Sequence, residues 1–272
     1  MKGLLFMTSR KNWPLAVSVG FHIVTDDVKL DGLKNAGITQ IELSSGDLRP
    51  FFDYDYLNKS VEISENARAH GVEITSIHLP FGPFDVIDGT YKHNFAFALT
   101  LHSMILEAAA KAGIKIAVIH PSGEPYSEDE RAERLEIGCK FIASLTDVAK
   151  SLGVQLALEN LPRKCLCRTH DEMQYFLERI PDLKVCFDMN HNLLEDNVDY
   201  IKAVADKIIT LHVSDYDFVD ECHWLPGEGK NDWPGIIKTL EEIGYSGRFL
   251  YEISWGDLEF KDVAENYQKL LG

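Results

Sequence analysis

Seven short apolar segments of this 272-residue chain end on a side chain that can bind a metal ion. Each is an apolar run of the kind found in strands and stops at a glutamate, an aspartate or a histidine, which is typical of a buried strand with a polar end. The segments are IELSS at Glu42, ITSIHLP at His78, IAVIHPS at His120, LALENLP at Glu159, VCFDMNH at Asp188, ITLHVSD at His212 and FLYEIS at Glu252. Since the carboxyl ends of parallel strands meet on one side of a sheet, the repetition predicts one shared site.

Strand and helix patterns alternate along the chain, which is typical of βαβ units and a parallel sheet. Helical periodicity predicts long helices at Phe95–Ala112 and Glu128–Leu152. Glycines at the ends of helical stretches, as expected of helix C-termini, are Gly37, Gly71, Gly113 and Gly153. The predicted strands are Ala16–Phe21, Gln40–Leu43, Ile74–His78, Ile116–His120, Gln155–Glu159, Lys184–Asp188, Ile208–His212 and Phe249–Ile253.

Eight such strand–helix pairs predict one (β/α)8 barrel domain over residues 1–272. The alternative is a doubly wound open sheet. That fold usually has a glycine-rich phosphate turn after its first strand, and here the turn reads GFHIVTDD. The sequence therefore favours the barrel.

The net charge of −16, with 43 acidic and 27 basic residues, argues against a nucleic-acid partner. Five scattered cysteines form neither a disulfide framework nor a CxxC pair, which fits a reducing compartment. No segment approaches membrane-spanning length. We therefore expect a cytoplasmic protein with no membrane association.

Four of the seven residues, Glu159, Asp188, His212 and Glu252, end neighbouring strands five to eight of the predicted barrel. Three carboxylates and one imidazole suit Mn²⁺, Mg²⁺ or Co²⁺, and also Zn²⁺ where nitrogen is available. The alternative is a buried ion-pair network, in which three inward-facing carboxylates would repel one another and be costly to desolvate. The pattern therefore predicts one divalent metal ion as a cofactor.

At these residues the chain resembles the xylose-isomerase-like superfamily of (β/α)8 barrels, which includes sugar isomerases, epimerases and endonuclease IV. The resemblance runs from about Leu15 to Leu271, and its most specific pieces are LALENLPR, CFDMNH, LHVSDYDFVDECHWLPGEGKNDWPGII and FLYEIS. It implies that Glu159, Asp188, His212 and Glu252 hold the metal and that His191 binds substrate oxygens near it.

The resemblance also implies a mechanism. The metal polarises the carbonyl of an open-chain sugar, and a proton leaves the neighbouring carbon through a metal-stabilised enediolate. In the epimerases the residues matching Glu159 and Glu252 are the paired catalytic acid and base.

Further histidines leave the number of metal ions open. Endonuclease IV holds three zinc ions, and this chain matches its pattern at His78, His120, His191 and His223, together with the four metal residues. It departs at the Asp-x-His motif, where Glu221-Cys222-His223 stands. Additional metal is one reading. The other is that His78, His120 and His223 hydrogen-bond sugar hydroxyls.

Two weaker candidates are Arg163 and Glu42. Arg163 follows the fifth strand directly, and its guanidinium is expected to hold a substrate phosphate or hydroxyl, with a structural salt bridge as the alternative. Glu42 either orients a substrate group or a neighbouring arginine, or supports the structure.

The leading functional prediction is a metal-dependent isomerase or epimerase of a sugar or sugar phosphate, with a small carbohydrate as its partner. A dehydratase or lyase on the same metal site is an alternative. A zinc phosphodiesterase like endonuclease IV and a non-catalytic sugar-binding barrel are less favoured. The family resemblance also allows a homo-oligomer.

Overall fold

Eight parallel strands alternate with helices in the structure, a computed structural model that describes residues 13–46, 49–81, 87–124 and 127–272. The strands are β1 (Leu15–Gly20), β2 (Gln40–Ser44), β3 (Glu73–His78), β4 (Ile116–Ile119), β5 (Gln155–Glu159), β6 (Lys184–Asp188), β7 (Ile208–His212) and β8 (Phe249–Tyr251). The helices are α1 (Phe21–Val24), α2 (Asp27–Asn35), α3 (Tyr56–Ala69), α4 (Phe95–Lys111), α5 (Arg131–Ser151), α6 (His170–Arg179), α7 (Asn197–Ala203), α8 (Trp233–Glu242) and α9 (Phe260–Leu271).

The sheet runs in the order β7-β6-β5-β4-β3-β2-β1-β8, and a short contact between β7 and β8 completes the circle. The backbone N–H of Val213 donates to the carbonyl of Leu250 at 2.8 Å, and that of Glu252 donates to the carbonyl of Val213 at 3.2 Å. These bonds confirm the predicted (β/α)8 barrel. The extent of the domain over all of residues 1–272 stays a prediction, because residues 1–12 lie outside the described part.

Strand boundaries agree with the sequence most closely where both faces of the strand are buried. The observed β5, β6 and β7 have the predicted bounds. Prediction and structure differ at β8, which ends at Tyr251 rather than Ile253; Tyr251 forms a single bridge to Val213, the residue after β7. They also differ at β1, because Phe21 begins helix α1 instead of ending the strand.

Helix ends follow the local chemistry of the chain. The Asp26 side chain accepts hydrogen bonds from the backbone N–H groups of Val28 and Lys29, and so caps α2. The four glycines predicted to follow helices have positive φ between 71° and 85°, the left-handed conformation that ends a helix. The predicted helix at Glu128–Leu152 becomes a 3₁₀ turn at Glu128–Glu130 followed by α5.

The main core lies between the strands and the surrounding helices, and a smaller cluster of Val118, Ala157 and Cys186 is buried on β4, β5 and β6. Side chains two residues apart share one face of a strand. Ala157 therefore lies beneath Glu159, and Cys186 beneath Asp188. The polar side chains at the ends of these strands therefore lie above this apolar cluster, at the mouth of the barrel.

The described part of the chain contains no helix that is both long enough and apolar enough to cross a bilayer. All five cysteines are free thiols, as the sequence predicts.

Candidate functional site

The four predicted metal ligands meet at the carboxyl-terminal mouth of the barrel. Glu159, Asp188 and His212 are the last residues of β5, β6 and β7, and Glu252 follows β8 directly. Nδ1 of His212 lies 3.0 Å from Glu252 Oε2, 3.2 Å from Glu159 Oε1 and 3.7 Å from Asp188 Oδ2. We call these four residues the carboxylate–histidine group.

The carboxylate–histidine group fits a divalent ion. One ligand atom from each of its members lies within 4.8 Å of the others, a spacing compatible with metal–ligand bonds of about 2.0–2.2 Å. Asp188 Oδ2 is buried and has no hydrogen-bond partner within the described residues. A buried carboxylate oxygen without a donor is costly, and a cation would satisfy it.

Without a cation, the group is held together by the charges of His212 and of the neighbouring His191. Burial, with the negative charges of Glu159 and Glu252, raises the pKa of Asp188 to about 6, against the opposing charge of His191. Burial acts in the same direction on Glu159, but His212 and His120 hold the pKa of Glu159 well below its usual value. Burial likewise opposes ionisation of Glu252, yet the charge and hydrogen bond of His212 lower the pKa of Glu252.

Two buried histidines, His212 and His191, shift in the opposite direction. Burial alone would lower the pKa of His212, but Cys186, Glu252 and Glu159 together raise it well above its usual 6.5. For His191, burial is outweighed by the charge of Asp188 and by hydrogen bonds to carboxylates, so its pKa is also raised well above 6.5. The metal-free site is therefore a set of ion pairs.

We expect the metal-free protein to lose stability as the pH rises above 6.5. A histidine whose pKa is raised by folding stabilises the folded state fully below its unfolded pKa, and this contribution disappears as the pH rises through the folded value. Urea unfolding between about pH 6 and pH 9 should give a falling free energy of unfolding, and His212→Gln should flatten the decline.

His70→Gln is the matched control for this measurement. Its pKa is raised by Asp31, but it lies at the surface, where water and salt weaken such effects. The interpretation fails if His212→Gln and the wild type lose stability equally across this range.

Glu159 has a second oxygen that faces two more histidines. Its Oε2 lies 3.0 Å from Nε2 of His78 and 3.4 Å from Nε2 of His120. His78 is almost completely buried, and its Nδ1 lies 2.8 Å from the carbonyl of Leu79. The structure therefore places His78 and His120 beside the carboxylate–histidine group, where their ring nitrogens can bind a substrate or a further metal ion.

His191 and His223 form another part of the same cavity. Nδ1 of His191 lies 2.9 Å from the carbonyl of Asn160, and its Nε2 lies 3.1 Å from Glu221 Oε2. Nδ1 of His223 lies 3.2 Å from the carbonyl of Glu252. His191, Glu221 and His223 also have ligand atoms within 4.8 Å of one another.

Two asparagines that the sequence analysis did not select hold these residues in place. Asn160 exchanges two hydrogen bonds with the backbone of Asp188, at 2.7 and 2.8 Å, and so ties β5 to β6. The side-chain oxygen of Asn190 accepts from the backbone N–H groups of Cys222 and His223. Their position in the sequence could have identified them, because each is a polar residue directly beside a predicted site residue.

Arg163 lines the cavity, and each of its three guanidinium nitrogens donates a hydrogen bond to a carboxylate. Nε donates to Glu124 at 2.7 Å, Nη1 to Asp220 at 2.7 Å and Nη2 to Glu221 at 2.9 Å. These contacts join the loops that follow β4, β5 and β7. Arg163 itself has a φ of 52°, in the left-handed region. Its predicted binding to substrate stays a prediction.

Two cavities open at this end of the barrel. The first has a volume of about 330 Å³, and its lining residues include Phe81, His78, His120, His191 and His223. The second, about 830 Å³, lies beside β1, β8 and α2 and is lined by residues that include Trp255 and Phe260. Glu252 contributes to both walls, so the two cavities adjoin at a candidate catalytic residue.

Solved structures of the same shape include several sugar epimerases. A D-tagatose 3-epimerase-like protein has a TM-score of 0.76 at 19% identity, and covers 93% of this chain and 95% of its own. D-psicose 3-epimerase, crystallised in the presence of D-fructose, has a TM-score of 0.76 at 18% identity, with 94% and 96% covered. At these identities the likeness establishes the fold.

Sequence relatives match over shorter stretches. The chain is 28% identical over 140 residues to an uncharacterised protein of Methanocaldococcus jannaschii, covering 51% of this chain and 55% of that protein. It is 26% identical over 120 residues to fructoselysine 3-epimerase of Escherichia coli O157:H7, covering 41% and 43%. The chain thus spans about half the length of the curated relatives that it matches.

A family model described as xylose isomerase-like TIM barrel matches residues 30–271. This range begins within α2 and includes the seven strands from β2 to β8, together with every residue of the carboxylate–histidine group. The match agrees with the closed barrel and with the polar residues gathered at its mouth. The chain belongs to the xylose isomerase-like TIM-barrel family.

Proposed function

We propose that this protein is a divalent-metal-dependent isomerase or epimerase of an unphosphorylated sugar. The observation that carries the proposal is the carboxylate–histidine group, in which two glutamates on different strands share one metal-sized space at a cavity wall. The names of similar proteins support a sugar as the substrate, since they include fructoselysine 3-epimerase and D-psicose 3-epimerase.

Glu159, Asp188, His212 and Glu252 would hold one ion of Mn²⁺, Zn²⁺, Co²⁺ or Mg²⁺. When bound, such an ion supplies Lewis-acid polarisation of a sugar carbonyl, which acidifies the neighbouring C–H bond. An additional ion at His78, His120 and Glu159 stays a prediction. So do the cytoplasmic location and the homo-oligomer.

Glu159 and Glu252 then perform the proton transfer. One ionised carboxylate takes the proton from the carbon beside the carbonyl, and the electron pair of the C–H bond moves into an enediolate. The other glutamate, which must carry a proton in the substrate complex, returns it to the opposite face, which inverts the carbon. Return of the proton to the former carbonyl carbon, with transfer of the hydroxyl proton from one oxygen to the other, instead exchanges ketose and aldose.

The remaining side chains bind and orient the sugar. We propose that the hydroxyl groups of the sugar bind to the histidines around the carboxylate–histidine group, which are His78, His120, His191 and His223. We propose that Phe81 packs against the apolar face of the sugar. We assign to Arg163 the role of holding three loops over the cavity. Its ion pair to Glu221 would keep that carboxylate against His191.

The charge of the cavity favours a sugar without a phosphate. Among the described residues that line it, Arg163 is the single lysine or arginine, and three carboxylates already engage it. The neighbouring stretches 82–86 and 125–126 contain no lysine or arginine in the sequence. A phosphate held in this cavity would therefore lie beside carboxylates with no unpaired lysine or arginine to compensate them, and like charges that lie close together cost several kcal/mol. Lys29 and Lys261 line the second cavity, so this repulsion applies to the first cavity alone.

We expect the protein with Mn²⁺ in D₂O to incorporate deuterium into a ketohexose at the carbon beside the carbonyl, and to form its epimer or the matching aldose. NMR spectroscopy measures both events. The value of kcat/KM should be roughly 100-fold higher for a free ketose than for its phosphate ester, because of the charge repulsion. The panel should also include 1-substituted ketoses, since the second cavity offers room for a substituent.

A double variant, Glu124→Gln with Asp220→Asn, is the matched control for the charge argument. It removes two of the three carboxylates that pair with Arg163. The ratio of kcat/KM for the free sugar to kcat/KM for its phosphate ester should therefore decrease. A wild-type preference for phosphate esters would overturn the charge argument but leave the isomerase proposal intact.

The alternative functions give other outcomes in the same experiments. A dehydratase would release water, which changes the mass of the product. Two further histidine-containing groups, His78–His120–Glu159 and His191–Glu221–His223, are the observation that keeps a zinc phosphodiesterase in consideration. That enzyme would hold three zinc ions and cleave phosphodiesters without exchanging sugar protons. A non-catalytic barrel would bind sugar and exchange nothing.

A further inference from the structure

Glu42 lies inside strand β2, whereas the residues of the carboxylate–histidine group lie at or just after the ends of their strands. It is completely buried in the middle of β2, two residues before the strand ends. Its Oε1 is 2.9 Å from Nε2 of His212, although the two residues are 170 positions apart in the sequence. Its Oε2 accepts a hydrogen bond from Oγ of Ser76 at 2.9 Å.

The position of Ser76 opposite Glu42 depends on an irregularity between β2 and β3. Ile41 pairs with Ile74, but the next residue, Glu42, pairs with Ser76. The skipped residue, Thr75, donates its hydroxyl to the carbonyl of Ile41 at 3.0 Å. A buried serine therefore stands opposite a buried glutamate and fixes the orientation of its carboxylate.

The two ring nitrogens of His212 face different surroundings. Nδ1 points at Glu159 and Glu252 in the carboxylate–histidine group, and Nε2 points at Glu42. A neutral imidazole has one N–H and one lone pair, and an ionised carboxylate can only accept a hydrogen bond. As a metal ligand, Nδ1 must present its lone pair, so the single N–H of a neutral His212 then lies on Nε2, where the Glu42 carboxylate can accept it at 2.9 Å.

We propose that Glu42 is a positioning residue that keeps the proton of His212 on Nε2, with Ser76 orienting the Glu42 carboxylate. This inference rests on the proposed metal site, because it gives Nδ1 of His212 the role of ligand. Carboxylates that accept from the second nitrogen of a metal-bound histidine fix its tautomer and ring orientation, and their loss typically lowers metal affinity 10- to 100-fold.

Zinc binding to the full-length protein, measured by competition with a fluorescent chelator, tests the proposal. Glu42→Ala should weaken zinc binding roughly 10- to 100-fold. Glu42→Gln, whose amide oxygen can still accept from Nε2, should have a smaller effect. Ser76→Ala should fall between Glu42→Gln and the wild type. Glu62→Gln makes the same chemical change at an exposed residue of α3, and should leave zinc affinity within about twofold of the wild type.

The tautomer itself can be read from ¹⁵N spectra of labelled histidine in the metal-free protein at a pH where the ring is neutral. The wild type should hold a larger fraction of the His212 proton on Nε2 than Glu42→Ala does. Without Glu42, only Nδ1 still faces carboxylates, those of Glu159 and Glu252. Unchanged zinc affinity together with an unchanged tautomer in Glu42→Ala would overturn the proposal. If Glu42→Ala fails to fold, the same two measurements on Glu42→Gln and Ser76→Ala decide.

Failure of the underlying metal site is distinguishable from failure of the role of Glu42. Wild-type protein that binds no zinc would contradict the proposed function. The tautomer in the metal-free spectra would still show whether Glu42 controls the ring.

Discussion

Glu252→Gln should lower kcat for the proposed epimerisation roughly 10²- to 10⁴-fold, the usual contribution of a general acid or base. Glutamine retains an oxygen that can face a metal, but it cannot take a proton from carbon. The change should therefore affect kcat much more than KM. Steady-state kinetics and exchange of the substrate proton with D₂O measure the two effects.

Two further observations complete this experiment. Glu62→Gln, an exposed residue of α3, makes the same chemical change far from the mouth of the barrel and should retain wild-type kinetics. If Glu252→Gln still exchanged the substrate proton at the wild-type rate, the two-glutamate mechanism would be wrong.

Asp188→Asn should abolish tight metal binding and the activity that depends on it. The asparagine oxygen can still accept from the backbone N–H of Asn190, as Asp188 Oδ1 does, so the strand end should keep its shape. The lost charge is the one at Oδ2, which has no hydrogen-bond partner among the described residues. Mass spectrometry of metal content and thermal shift on adding Mn²⁺ report the loss.

The same substitution should have an opposite effect on the metal-free protein. The pKa of Asp188 is raised to about 6, so at pH 7 the ionised form opposes folding, and its removal should leave the metal-free protein at least as stable. In the wild type, metal at 100 times its Kd would add about 2.7 kcal/mol to the free energy of unfolding. The variant should lose this gain.

Asp257→Asn, in the exposed loop after β8, is the matched control and should bind metal like the wild type. Should Asp188→Asn bind Mn²⁺ as tightly as the wild type, the carboxylate–histidine group would be an ion-pair network. In a separate experiment, treatment of the wild type with a chelator, followed by return of single metals, identifies which ion restores activity.

The sequence by itself determined the barrel and which polar residues gather at its mouth. Each strand carries its own run of apolar residues and its own polar end, and these are local patterns. Parallel topology then brings the ends together without further information, so the convergence of Glu159, Asp188, His212 and Glu252 follows from the fold. The bounds of β5, β6 and β7 were predictable for the same reason.

Only the tertiary structure decided how these residues contact one another. The partner of Glu42 is His212, on a strand far along the chain, and the one-residue shift between β2 and β3 places Ser76 opposite Glu42. A similar shift between β6 and β7 aligns Asp188 with His212.

The three ion pairs of Arg163, to loops after β4 and β7, also join residues far apart in the sequence, by 39, 57 and 58 positions. Such contacts depend on strand register and loop conformation, which hydrophobic periodicity does not encode. Local patterns thus specify which residues reach the mouth of the barrel. The packing of distant segments specifies which atoms face the substrate and which hold their neighbours in place.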